Sequence, residues 1–182
     1  MADLKTIEDA FDFVQEVGIC TIFSGKARDV QSLWDAVDLP DSDGQTKWGQ
    51  RVEAVWAWKT ELPTFYPDDI FYGKIKGGHA VLMSMEYFRE THYPKHARPV
   101  SSCRELAQQV YEIVRLSPGT TAEVRREAMD RFGCSKSRFE TALKELQISL
   151  NVVRLNEPDL KNDTWVPFEE VYGELELEAP AQ

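Results

Sequence analysis

The stretch EAVWAWKTELP, residues 53–63, sets Trp56, Trp58, Lys59 and Glu61 within six positions. An indole offers a flat face on which a base can stack, an ammonium can hold a phosphate, and a carboxylate beside a stacked base can assist attack at its sugar bond. The spacing limits this chemistry, because two positions on a helix are a rotation of about 200° and the two indoles must face apart. Val52, Val55 and Trp56 fall on one stripe, which assigns Trp56 to the core and leaves Trp58 to face a groove or the neighbouring unit. Lys59 and Glu61 are too close in sequence to pair along the helix. A surface charge in the last turn is the simpler reading of Glu61, and a catalytic carboxylate is the alternative. Tyr72 and Lys74, in the following IFYGKI, are further candidates for the groove.

A second cluster lies in GCSKSRFETALKELQISLN. Phe139, Ala142, Leu143, Leu146 and Leu150 form the apolar stripe of a helix that leaves Ser135, Lys136, Ser137, Arg138, Thr141 and Lys144 off that stripe, mostly in the first two turns. The preceding TTAEVRREAMDRFG reads as a helix that begins at Thr120, three residues before Glu123, and ends at Gly133. Helix, short Gly-containing turn and helix make a helix-turn-helix, whose second helix meets base edges and phosphates with its N-terminal residues. Arg125 and Arg126 on the first of these helices could add phosphate contacts, with Arg131 beside them. The alternative is an ordinary solvated face on which Glu127, Asp130, Glu140 and Glu145 pair with these bases.

Other residues offer less. His92 and His96 stand four apart in THYPKH, but Pro94 between them argues against a regular helix, and His79 lies alone beside two glycines. Cys20, Cys103 and Cys134 are far apart, without a CxxC pair, and read as buried thiols. No phosphate-binding glycine loop and no GxSxG occurs, and no metal or cofactor is implied.

The elements that must position these clusters follow from pattern. The 182 residues, 42% hydrophobic and 11% aromatic, can bury the core of one ordinary domain or of two small ones. Helices are predicted over 6–16, over 27–37 with Asp29 as cap, and over 50–62 with Pro63 as the stop. IFYGKI and AVLMSM flank KGGH as a hairpin. Three helices and a hairpin recur in the second half: SSCRELAQQVYEIVRL, the helix-turn-helix, then NVVRL and TWVPFEEV as a wing in which Arg154 could reach a neighbouring groove. The expectation is an α+β, mainly helical fold of two packed winged-helix units, residues 1–100 and 101–173, with an acidic flexible tail over 174–182.

Net charge sharpens and limits this reading. The chain carries −10 overall, which disfavours indiscriminate coating of nucleic acid. The acid is unevenly spread: residues 1–101 carry −5 and residues 151–182 carry −6, while 102–150, which holds the helix-turn-helix, carries +1. No run approaches the roughly 18–20 apolar residues of a membrane span, and MADLKTIEDAF is too polar for a secretory signal, so a cytoplasmic location is expected.

FVQEVGICTIFSGKARDVQSLWDAV, VWAWKTELP with IFYGKI, and SRFETALKELQISLNVV together resemble the small AlkZ-related proteins, shortened relatives of the AlkZ/YcaQ winged-helix DNA glycosylases. The resemblance spans most of residues 6–172. It implies winged-helix units about a concave channel for duplex DNA, and, in full-length members, repair of alkylated or crosslinked DNA by hydrolysis of the N-glycosidic bond. Those members carry Gln-x-Gln or Gln-x-Asp after a glycine that ends the first helix, to position the attacking water. The matching GICTIF places Thr21 and Phe23 at the two polar positions, and Phe offers no hydrogen-bonding group at all. Trp58 and Lys59 likewise stand where the family has His and Glu. The expected function is therefore duplex DNA binding without that hydrolytic chemistry. The alternatives are a divergent glycosylase using Glu61, and a protein-interaction or homo-oligomerisation module.

Overall fold

A computed structural model describes residues 3–23, 27, 29–41 and 49–177. The fold is α+β and mainly helical, and the chain divides into two compact units, Met1–Phe88 and Arg89–Gln182. Residues 89–100, grouped with the first half in the sequence reading, belong to the second unit. Two bonds hold them there: Arg98 N donates to the Ser149 carbonyl at 3.1 Å, and Asn151 Nδ2 donates to the Arg98 carbonyl at 3.0 Å.

The first unit opens with α1 (Ile7–Val17), which starts at a reciprocal cap. Thr6 Oγ1 accepts from Asp9 N at 3.1 Å, and Asp9 Oδ2 accepts from Thr6 N at 3.0 Å. It stops at Gly18, whose φ of 78° turns the chain into β1 (Ile19–Thr21). A parallel strand β2 (Gln31–Ser32), the short α2 (Leu33–Ala36) and the long α3 (Gln50–Phe65) follow, then the hairpin β3 (Ile70–Ile75) and β4 (His79–Ser84), and a single turn α4 (Met85–Tyr87). The sheet order is β2-β1-β4-β3, with β1 antiparallel to β4. Gly77 and Gly78 make the hairpin turn at φ 95° and 83°, where side chains are disfavoured.

Two expectations for this unit fail. The helix predicted over 27–37 is reduced to four residues, because Gln31 and Ser32 pair with Cys20 and Thr21, and Asp29 sits at φ 65°. Its cap is Ser32, whose Oγ accepts from Asp35 N at 3.0 Å. Pro63 does not stop α3, which runs on to Phe65 and ends where Tyr66 N donates to the Leu62 carbonyl.

In the second unit α5 (Tyr93–His96) follows a π-helical turn, Phe88–His92. Pro94 falls in the first turn of α5, where its missing N–H costs nothing, so helical backbone continues past it and brings the His92 and His96 rings to 4.5 Å. Then come α6 (Glu105–Leu116), β5 (Gly119–Thr120), α7 (Thr121–Phe132), α8 (Lys136–Ile148), β6 (Val152–Arg154), β7 (Thr164–Pro167) and α9 (Phe168–Tyr172). Three residues separate α7 from α8, as a helix-turn-helix requires. The three-stranded sheet has the order β5-β7-β6, so the strand before the helix-turn-helix closes onto the hairpin after it. Ala107, Val110, Ile113 and Val114 of α6, Val124 and Ala128 of α7, and Phe139, Ala142, Leu143 and Leu146 of α8 form its core with Val152 and Trp165. Of the acidic tail, residues 178–182 lie outside the described residues.

Candidate nucleic-acid interface

Helix α8 is set by its two ends. Gly133 takes a left-handed φ of 64° and donates to the Met129 carbonyl, ending α7. Two residues on, Ser135 Oγ accepts from Arg138 N at 3.2 Å and starts α8. Once Phe139, Ala142, Leu143 and Leu146 face inward, the side chains of Lys136, Ser137, Arg138, Thr141 and Lys144 must face solvent, and all five are exposed.

Their partners separate them. Lys136 Nζ reaches Glu140 at 3.8 Å, an exposed pair of little energetic weight. The Thr141 hydroxyl donates to the Ser137 carbonyl at 3.1 Å, and Ser135 is committed to its cap. Among the described residues no ion pair engages Arg138, Lys144, Arg125 or Arg126, whereas Arg131 is paired with Glu127 at 3.1 Å. Arg126 is exposed and Arg125 half-buried on α7. Beside α8 a cavity of about 250 Å³ opens toward the start of α6, lined by Arg104, Glu105, Ser137, Arg138, Thr141 and Glu145 among others. Arg104 was not singled out in the sequence, where it precedes a helix without apolar spacing to mark it.

Arg154 does not belong to this surface. It is 5% exposed, and its guanidinium lies 3.8 Å from Asp163. The cause is the sheet: Arg154 pairs with Trp165, and the strand is covered on the side where its side chain lies.

In the first unit the two indoles exchange their expected roles. Trp58 is in the core at 7% exposure, with Val55 and Leu62, and Trp56 is exposed at 49%. Leu62 decides this, because it stands four residues from Trp58 and seven from Val55, on the stripe that excludes Trp56. Tyr72 is buried as well. A groove built on Trp58 and Tyr72 is therefore ruled out, and Glu61 has no stacking indole in Trp58. Lys59, Glu61 and Lys74 are half-buried, and Lys59 Nζ lies 4.4 Å from the centre of the Trp56 ring. What the surface presents instead is an aromatic cluster. Phe23 is 42% exposed, with its ring 5.8 Å from Trp34 and 5.9 Å from Trp56.

Thr21 is buried in β1 and its hydroxyl donates to the Gln31 carbonyl at 3.5 Å. The three cysteines are buried, and burial pushes the Cys20 thiol up to about 12. Among the described residues no group of three His, Cys, Asp or Glu side chains is placed to hold a metal ion, and no helix is long and apolar enough to cross a membrane.

The family model described as AlkZ related matches residues 4–164, which takes in both units. The chain belongs to the AlkZ-related family. No curated protein and no solved structure matches it. Within this AlkZ-related chain the match covers both residue clusters, that of α3 with Trp56 and Trp58 and that of α8 with its exposed bases, as well as Thr21 and Phe23.

Proposed function

We propose that this AlkZ-related protein binds duplex DNA through the helix-turn-helix of its second unit, a winged-helix reader, without the hydrolytic chemistry of the full-length glycosylases. The observation that carries the reading is the outward face of α8, where Ser137, Arg138, Thr141 and Lys144 are exposed and neither Arg138 nor Lys144 is neutralised by an ion pair among the described residues. Arg138 and Lys136, at the start of the helix, would meet phosphates or a guanine edge, and Lys144, two turns on, a phosphate. Arg125 and Arg126 would add backbone contacts from α7. The segment holding α7 and α8 escapes the acidity of the rest of the chain, which favours this face over others for a polyanion.

Absence of hydrolysis is supported by the two positions that carry the water-orienting groups elsewhere in the family. The Thr21 hydroxyl is turned to a backbone carbonyl, and Phe23 packs its ring against two indoles. Fluorescence anisotropy with a labelled duplex tests the binding. Arg138→Ala and Lys144→Ala should each weaken it several-fold, and unchanged affinity in both would remove the assignment.

A second reading, a protein-interaction surface, is favoured by one observation, the exposed Phe23 and Trp56. Aromatic residues are enriched at the centres of protein interfaces. Trp56→Ala should then abolish a discrete oligomer or complex seen on sizing while leaving DNA affinity unchanged.

A further inference from the structure

The cavity between the start of α6 and the first turns of α8 has a feature that packing does not explain. Two arginines, Arg104 and Arg138, line one space of about 250 Å³. Glu105 and Glu145 line it as well, yet among the described residues neither arginine forms an ion pair with them. Glu145 is otherwise engaged: its Oε1 accepts from the backbone N–H of Arg104 at 3.1 Å, which fixes that residue at the edge of α8. Ser137 and Thr141 line the same wall. The Thr141 hydroxyl proton is directed to the Ser137 carbonyl.

Resting on the DNA-binding reading, we infer that this cavity holds a backbone phosphate of the duplex, gripped by Arg104 from the start of α6 and by Arg138 from α8. A phosphodiester would give the two arginines the anionic partner that neither Glu105 nor Glu145 supplies, since no ion pair engages either arginine among the described residues. Its non-bridging oxygens suit the forked donors of arginine better than the point charge of lysine. Arg104 thus extends the DNA face beyond the helix-turn-helix to the helix before it. Contact with phosphate positions the protein without reading sequence, so Arg104 contributes affinity and register rather than specificity.

The test is anisotropy of labelled duplexes of two unrelated sequences, titrated with full-length protein between about 50 and 200 mM salt, where phosphate contacts show as a slope of log K against log salt. Arg104→Gln should weaken both duplexes about equally and lower the slope by about one, while Arg104→Lys should keep most of the slope and lose part of the affinity. The Arg104→Gln, Arg138→Gln double variant should lose less than the product of the two single losses, because both grip one phosphate. Arg115→Gln, on α6 but paired with Glu112, serves as the control and should leave the slope unchanged. A wild-type slope retained in Arg104→Gln, with Arg138→Gln impaired, would overturn the phosphate site and spare the DNA reading. Absence of salt-sensitive binding by the wild-type protein would overturn both.

Discussion

The rings of Phe23 and Trp56 meet edge to face, with centroids 5.9 Å apart and planes at 60°. Phe23 lies two residues past the end of β1 and Trp56 in the middle of α3, so the contact ties the chain leaving the strand to that helix. An arrangement of this kind contributes about 0.5–1.5 kcal/mol beyond burial.

The two indoles of α3 should behave oppositely on mutation. Trp58→Ala empties a core site and should cost about 3–5 kcal/mol in denaturant unfolding. Trp56→Ala should cost about 1 kcal/mol or less, and should remove much of the fluorescence that acrylamide quenches most readily. Equal costs for the two would contradict the assignment.

The turn between α7 and α8 should be sensitive to small changes. Ser135→Ala removes the acceptor for Arg138 N and should cost about 1 kcal/mol. Gly133→Ala meets no neighbouring atom within 4 Å, so its cost should be only that of the left-handed backbone, about 1 kcal/mol. Thermal unfolding of the two variants checks both values.

Acid should weaken the second unit through its histidines. Burial holds the His92 imidazole down to about 4, and the charge of His96 works in the same direction. His96 is itself lowered, by burial and by Lys95 and Arg98. Because an unfolded histidine titrates near 6.5, the unfolded chain takes up a proton that the folded chain refuses between those values. The full contribution is present above pH about 6.5 and falls as pH drops toward about 4, by on the order of 3 kcal/mol from His92. His92→Gln should flatten unfolding free energy over that window; an unchanged slope would show that His92 is not the group responsible.

Much of this was legible in the sequence, and the failures share one cause. The second unit was readable because its signals agree: Thr120 caps a helix, Gly133 breaks it, and Phe139, Ala142, Leu143 and Leu146 lie on one stripe. In α3 the signals conflict, since Ala54, Val55, Trp56, Ala57 and Trp58 are apolar on every side and only Leu62, further on, selects the buried face. For Gln31 and Ser32, helical spacing was overridden by pairing with β1, a contact between strands that local pattern does not carry. Arg154 was misplaced for a similar reason, as strand alternation does not tell which face a later element covers.

Arg154 should accordingly matter for stability and not for DNA. Arg154→Ala removes a buried guanidinium and its packed stem, and should cost about 2–3 kcal/mol in unfolding experiments. Under conditions where the variant is folded, its duplex affinity should match the wild type.

The central claim is that α8 presents its exposed bases to duplex DNA. The most direct measurement is the duplex dissociation constant of wild-type protein and of the Arg138→Ala, Lys144→Ala double variant, followed from about 50 to 200 mM salt. The account predicts wild-type binding that weakens steeply with salt, and a double variant with lower affinity and a slope reduced by about two. Wild-type binding with the same affinity and slope in the double variant, or no wild-type binding at the lowest salt, would contradict it.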